Sequence, residues 1–299
     1  HEEASPIPLF SRLYIKDSNK RILLTIHEVR SNYAIRMLGF AGIGEYLVEK
    51  LMKMLAKLYD VIITVSPSTY KLAEKCIGFL PNMILISNGV DTEKFRPKDT
   101  YNAGDNEVIK IITVSRLTRY KGITLVPAVG RILRKISQKY RLKILYRIIG
   151  RGPLKTSLQR FVRSYNSESK YSKMCLYSDI LSDNEYISLL RDSNLYMHLN
   201  PYMEGFCFSV AEAMSCAVPV LAFNIPGVRD LVKQHICGFL IKPLDMKSFY
   251  LKLKTLLVNA NLRQYFGENC RRRIMRYYSL KNKVKQLEKL YKNLLNNVK

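Results

Sequence analysis

The sequence predicts an α/β protein built from two doubly wound, parallel-sheet domains, and three observations carry that expectation. Short β-rich runs alternate with helix-length segments along the chain. The runs read as apolar nearly throughout rather than at every second residue, the pattern of strands covered on both faces. The length of 299 residues gives a prior of about two domains, and a hydrophobic fraction of 47% is enough to fill two cores.

In chain order, the first third offers strand candidates at 22–26, 61–65 and 84–86. An amphipathic helix with a basic face, 46–58, either packs on the first sheet or lies on a membrane surface. Phe40-Ala-Gly42-Ile-Gly44 follows no strand and reads as a loop, not a dinucleotide fingerprint. The polar stretch 98–106 reads as a linker. Beyond it come strands at 109–114, 142–149, 195–199 and 218–223, with helices at 125–137, 183–191 and 209–216. A helix over 280–298, with Val284, Leu287, Leu290, Tyr291 and Leu294, closes the chain. The expected organisation is a first domain over 1–97, a linker, a second domain over 107–279 and a terminal helix over 280–299.

A formal net charge of +25 suits an anionic partner, whether nucleic acid, lipid headgroups or an anionic substrate. The charge is spread over helices such as the one holding Arg131, Arg134 and Lys135, and no zinc-finger, RNP, KH or basic-zipper pattern is present, so nucleic acid is not expected. No apolar run approaches the ~18 residues of a spanning helix. The six cysteines show no C-x-x-C spacing and read as reduced thiols of a cytoplasmic protein. The four histidines never pair at metal-binding spacing, so neither a metal nor a cofactor is expected.

Four groups of residues carry chemistry. Glu204 and Glu212 are separated by seven residues, the first in a loop beside Gly205 and the second inside the 209–216 helix. Two carboxylates at different depths suit a ligand with several hydroxyls, because ionised carboxylates accept from OH donors at charge-assisted strength. The neighbouring Phe206, Phe208, Val210, Ala211, Ala213 and Met214 are too apolar for a solvated face. Arg116 and Lys121 bracket the loop between the 109–114 strand and a helix beginning near Gly122, a place where anions bind; an ordinary basic loop is the competing reading. Gly150-Arg151-Gly152-Pro153 joins a strand to a helix, with Pro153 suited to the first turn; a tight turn alone would explain it equally well. His27 directly follows the 22–26 strand, where a side chain reaches the open edge of a parallel sheet or simply packs on the surface.

Together these segments resemble the retaining GT-B glycosyltransferases of the family 4 type. The resemblance rests on the E-x7-E segment from Glu204 to Glu212, on Ser87-Asn88-Gly89-Val90-Asp91 through Phe95-Arg96-Pro97, on Arg116 with Lys121-Gly122, on Gly150-x-Gly152-Pro153, and on Pro219 through Val232. It implies two Rossmann-like domains facing each other across a cleft, with the closing helix returning to the first. It also implies a nucleotide-sugar donor (a UDP- or GDP-sugar), a lipid-linked or glycan acceptor, and a place in the cytoplasm, peripheral on an anionic membrane surface. By resemblance, Arg116 and Lys121 bind the donor diphosphate, and Glu204 the sugar hydroxyls. Glu212 would hold the ribose, Gly205 and Phe206 would line the sugar, and His27 would stand close to it. Arg151 departs from the acid usual between the two glycines, which leaves the nucleotide open. The opening His1-Glu2-Glu3 resembles a mid-domain segment of phosphatidylinositol mannosyltransferases, so the first domain is expected to be incomplete, as a fragment, a processed form or a gene lacking its 5′ portion. Two alternatives remain: a truncated nucleotide-sugar-binding protein without transfer activity, and a basic nucleic-acid-binding α/β protein.

Overall fold

The computed structural model describes residues 21–28, 56, 59–98 and 108–296. The chain divides into two compact units, one of His1–Gly89, Met203–Phe206 and Leu280–Lys299, the other of Val90–Tyr202 and Cys207–Ser279. The expected 46–58 helix, apart from Ala56, and the Phe40–Gly44 loop lie outside the described residues, as does the 98–106 linker apart from Lys98.

The first unit holds a parallel sheet of β1 (Leu23–Ile26), β2 (Val61–Thr64) and β3 (Met83–Leu85), in that spatial order. The β-branched run of β2 is buried at all four residues, as a central strand requires. Helix α1 (Pro67–Ile77) begins where Ser66 turns extended and its Oγ accepts from the Thr69 amide at 3.1 Å, with proline in the first turn. Ala73 and Ile77 of α1 pack with Ile62, Tyr59 and Met83 in the core of this unit. Helix α9 (Leu280–Asn296), which groups with this unit, buries none of its residues.

The second unit is one six-stranded, wholly parallel sheet. Its strands are β4 (Ile109–Val114), β5 (Ile144–Ile149), β6 (Ser172–Tyr177), β7 (Leu195–His198), β8 (Val220–Phe223) and β9 (Gly238–Ile241). They lie in the order β6-β5-β4-β7-β8-β9, so the chain winds outward from β4 in one direction, returns, and winds outward from β7 in the other. This is the doubly wound Rossmann order. The connecting helices are α2 (Val126–Tyr140), α3 (Lys155–Glu168), α4 (Asp183–Arg191), α5 (Phe208–Ser215), α6 (Val228–Leu231), α7 (Met246–Val258) and α8 (Ala260–Tyr277). Ile111, Ile112, Leu133, Ile136, Tyr146 and Tyr196 are fully buried between sheet and helices.

Three details correct the sequence reading. Pro153 stands in the turn two residues ahead of α3 rather than inside its first turn. Phe208 opens α5 with about half its surface exposed, 49%, so it is no part of an apolar lining. Gly122 precedes a short 3₁₀ turn, Ile123–Leu125, before α2 begins.

Two polar knots hold the second unit together. Arg147 on β5 is buried and donates from Nη2 to Asp192 Oδ2 at 2.8 Å, while Lys98 and Lys110 both reach Oδ1 at 2.9 Å. Burial works against ionising Asp192, but hydrogen bonds from Lys110, Arg147 and Lys98 outweigh it and hold the carboxyl well below the usual carboxylate range. Asp192→Asn should therefore cost about 3 kcal/mol, because it strands a buried guanidinium. Since the folded carboxyl titrates lower than the unfolded one, that stabilisation is complete above about pH 4 and drains away as the pH falls further. Urea unfolding of both proteins should show a constant gap from neutral to mildly acidic pH and a narrowing gap below; a gap that widens on acidification would contradict the assignment. The second knot is Arg271 of α8, whose Nη1 donates to the carbonyls of Thr92 (2.9 Å), Phe95 (3.0 Å) and Ser215 (3.1 Å). Ser215 Oγ also donates to Phe95 O at 2.6 Å.

Candidate functional site

In an open parallel sheet the carboxyl ends of the two strands on either side of the winding reversal diverge, and their loops leave a crevice between them. Here those strands are β4 and β7. The loop after β4 carries Ser115 to Gly122, and the chain after β7 runs through Asn200 and Tyr202 toward α5.

Side chains lock the two carboxyl ends in register. Thr113 Oγ1 donates to Met197 O at 2.8 Å, across β4 and β7. The Tyr196 hydroxyl, carried on β7, lies 3.1 Å from Val114 O at the end of β4 and 2.8 Å from Ser209 Oγ in the first turn of α5. The loops themselves are pressed together at Gly122. Its φ of +73° is in the left-handed region, and a Cβ there would fall 2.0 Å from Leu199 O. One step away, Tyr120 stacks on Tyr202 with ring centroids 5.1 Å apart and planes 8° from parallel. Lys121 Nζ sits 5.7 Å from the centre of the Tyr120 ring.

The predicted residues of this unit fall around that crevice. Arg116 is exposed and Lys121 half-buried, both on the loop after β4. Gly150 and Gly152 form the turn after β5, and it is tied to the Arg116 loop by Leu117 N donating to Arg151 O (2.8 Å) and Leu154 N to Leu117 O (3.0 Å). Glu212 is the fifth residue of α5, a little over one turn into the helix. The Tyr186 hydroxyl donates to its Oε2 at 2.5 Å. Burial pushes the Glu212 carboxyl above the usual glutamate range, and the Tyr186 hydrogen bond and the Lys94 charge offset part of that rise. Lys94 is held in turn by Asp183 at 2.6 Å.

The remaining predicted residues belong to the first unit. His27 is exposed immediately after β1. Gly205 lies directly on it: a Cβ on Gly205 would fall 1.6 Å from His27 O, so only glycine admits this approach. Thr69 Oγ1 donates to Gly205 O at 3.3 Å, which fastens the Glu204–Phe206 segment to the start of α1. Glu204 is half-buried and Phe206 buried. The sequence-predicted residues therefore form two groups, His27 with Glu204, Gly205 and Phe206 in one unit, and Arg116, Lys121, Gly150, Gly152 and Glu212 in the other.

Sequence reasoning missed Tyr186, Lys94 and the Tyr120–Tyr202 stack. The Ser182 capping box, with Glu185 Oε2 accepting from the Ser182 amide at 2.8 Å, marks the start of α4 and so places Tyr186 in its first turns. Nothing local announces that its hydroxyl meets a carboxylate 26 residues away.

The chain is similar to known proteins. Residues 94–273 match the family model described as glycosyl transferases group 1. The chain is similar to an uncharacterized glycosyltransferase of Methanocaldococcus jannaschii, at 22% identity over 84% of this chain and 63% of that protein. It is 25% identical to a human phosphatidylinositol N-acetylglucosaminyltransferase polypeptide over 85% of this chain and 50% of that protein. It thus spans between half and two thirds of the length of these relatives. Among solved structures, Anabaena HepE in complex with UDP-glucose superposes with a TM-score of 0.73 at 14% identity, covering 96% of this chain and 76% of that one. That likeness shows the fold, a GT-B protein with two Rossmann-like domains. Because the family match takes in more than half of its residues, the chain belongs to the glycosyl transferases group 1 family.

Proposed function

We propose that the protein is a retaining glycosyltransferase of the family 4 type, moving a hexose from a UDP- or GDP-sugar to a hydroxyl of a lipid-linked or glycan acceptor. One observation carries the reading. The basic Arg116–Lys121 loop and the helix bearing Glu212 emerge from the two strands at the winding reversal of one sheet, bound together by Gly122, Tyr196 and the Tyr120–Tyr202 stack. HepE was solved with UDP-glucose, and the human relative's name specifies a phosphatidylinositol acceptor; both support the chosen substrate classes.

In this reading 107–279 is the nucleotide-sugar domain, and 1–97 with the 280–299 helix is the acceptor side. Arg116 and Lys121 bind the diphosphate and stabilise the charge that grows on it as the glycosidic bond breaks. The turn at Gly150 and Gly152 supports their loop from below. Glu212, fixed through Oε2 by Tyr186, accepts from ribose hydroxyls. Glu204 accepts from sugar hydroxyls, Gly205 and Phe206 shape the space beside the sugar, and His27 stands near it. The acceptor oxygen attacks the anomeric carbon on the face from which the diphosphate departs, through an oxocarbenium-like transition state, and its proton passes to the leaving phosphate. No step calls on a metal. A position at the cytoplasmic face of a membrane fits a lipid-linked acceptor and the net charge; among the described residues no helix is long and apolar enough to cross one.

A thermal-shift screen against UDP-, GDP- and ADP-sugars tests the donor class, since ligand at 100 times its Kd adds about 2.7 kcal/mol. The two glutamates then separate the roles. Glu212→Ala should weaken free nucleoside diphosphate and intact donor alike, whereas Glu204→Ala should spare the nucleoside diphosphate and damage sugar recognition and turnover. Dissociation constants ranked the other way would reverse the assignment. The competing reading, a nucleotide-sugar binder without transfer activity, predicts the same binding pattern with no product under any acceptor.

A further inference from the structure

We propose that the second unit carries a separate site for a compact polyphosphate at the amino edge of its sheet, the edge opposite the crevice described above. A cavity of about 690 Å³ opens there, where Lys110 is the second residue of β4 and Asn194 and Pro219 precede β7 and β8. Its size suits a small ligand. Six cationic side chains line it: Lys98, Lys110, Arg191, Arg263, Arg271 and Arg272. The acids in its wall are Asp192 and Glu268.

Among the described residues, the cations of this wall outnumber its acids six to two. Arg191 gives Nε to Arg96 O and Nη2 to Lys94 O. Arg263 gives Nη1 to Leu256 O and Leu257 O. Arg271 spends Nη1 on the three carbonyls and the Ser215 hydroxyl already described. These carbonyl acceptors orient the guanidinium groups, and Glu93 adds one attractive charge near Arg271. Asp192 is the acid that is paired, and it already serves Lys98, Lys110 and the buried Arg147. Glu268 is exposed and accepts from Gln264 at 3.1 Å. Three guanidinium groups are thus held rigidly by backbone beside two lysines that share one carboxylate. Guanidinium forks match phosphate oxygens, and lysine adds a mobile point charge. A chain of phosphates offers several anionic groups to these cations, where one phosphate offers a single group.

The test is titration calorimetry of the full chain with inorganic tripolyphosphate, at fixed ionic strength. Because the proposed donor site also binds phosphate groups, Arg116→Ala is measured beside the wild type, and Lys98→Gln/Arg272→Gln is added to each. Lys98 and Arg272 are exposed, and Lys110 and Arg147 still serve Asp192 in the double variant, so its fold should survive. Tripolyphosphate binding should persist in Arg116→Ala and weaken at least tenfold when the double substitution is added to it, while the double substitution alone leaves nucleotide-sugar affinity unchanged. Orthophosphate should bind at least tenfold more weakly than tripolyphosphate. Binding that vanishes with Arg116→Ala, or that is unaltered when the double substitution is added to it, overturns the site; equal affinity for the two anions overturns the polyphosphate class.

Discussion

Replacing Arg116 or Lys121 by alanine is expected to lower sugar transfer by at least ~10²-fold, the scale on which removing one charge-stabilising donor acts. The reason lies in when the charge appears. A diphosphate carries more negative charge on its bridging oxygen as the glycosidic bond lengthens, and groups already fixed at that position need no reorganisation to meet it. Arg116 is exposed, yet its loop is anchored by Leu117 N to Arg151 O and pinned at Gly122, so the charge is delivered to a fixed place. Both substitutions should also weaken the nucleoside diphosphate, with little effect on unfolding because neither side chain is buried. Calorimetry showing wild-type nucleotide affinity in both variants would remove the diphosphate assignment.

Gly122→Ala is expected to be as damaging by a different route. A methyl group at this position falls 2.0 Å from Leu199 O and 2.6 Å from its carbonyl carbon. Those atoms are backbone following β7 and cannot swing aside as a side-chain end would. The left-handed φ adds a cost of about 1 kcal/mol for any residue with a Cβ. Overpacking adds about 1–3 kcal/mol. The variant should unfold at lower denaturant, and what folds should bind donor poorly because the two loops have parted. Retained stability together with wild-type donor affinity would show that their close approach is incidental.

How much of the fold is legible in the sequence depends on where each element sits. The central strands β4, β5, β7 and β8 are apolar runs because helices cover both their faces, and the sequence places each within two residues of where it lies. The outermost strand β6 leaves no such trace, and β9, though apolar, opens on a glycine, which weakens a strand reading. An edge strand has one neighbour, so Ser172-Lys-Met-Cys-Leu-Tyr177 can keep lysine outward and bury only part of its length. Helix α8, a long helix that buries few side chains, escapes because its apolar residues are diluted among polar ones. Within the candidate site the backbone motifs are legible, since glycine turns and basic loops leave local traces. Tyr186 and Lys94 are not, because their meaning arises only when α4 and the 90–98 segment are brought beside α5.

The Arg271 knot sets the timing of biosynthesis. Its guanidinium joins the Phe95 carbonyl to a side chain made 176 residues later, a delay of about 10–35 s at ~5–20 residues per second of translation. Through that interval the carbonyls of Thr92 and Phe95 lack their final donor, and over its last 56 residues Ser215 and α5 are also without the helix that will pack on them. Until then the apolar groups that α8 covers, Phe239 of β9 among them, stay open. Closure comes when α8 emerges, so the face of α5 that it covers stays open until late in synthesis.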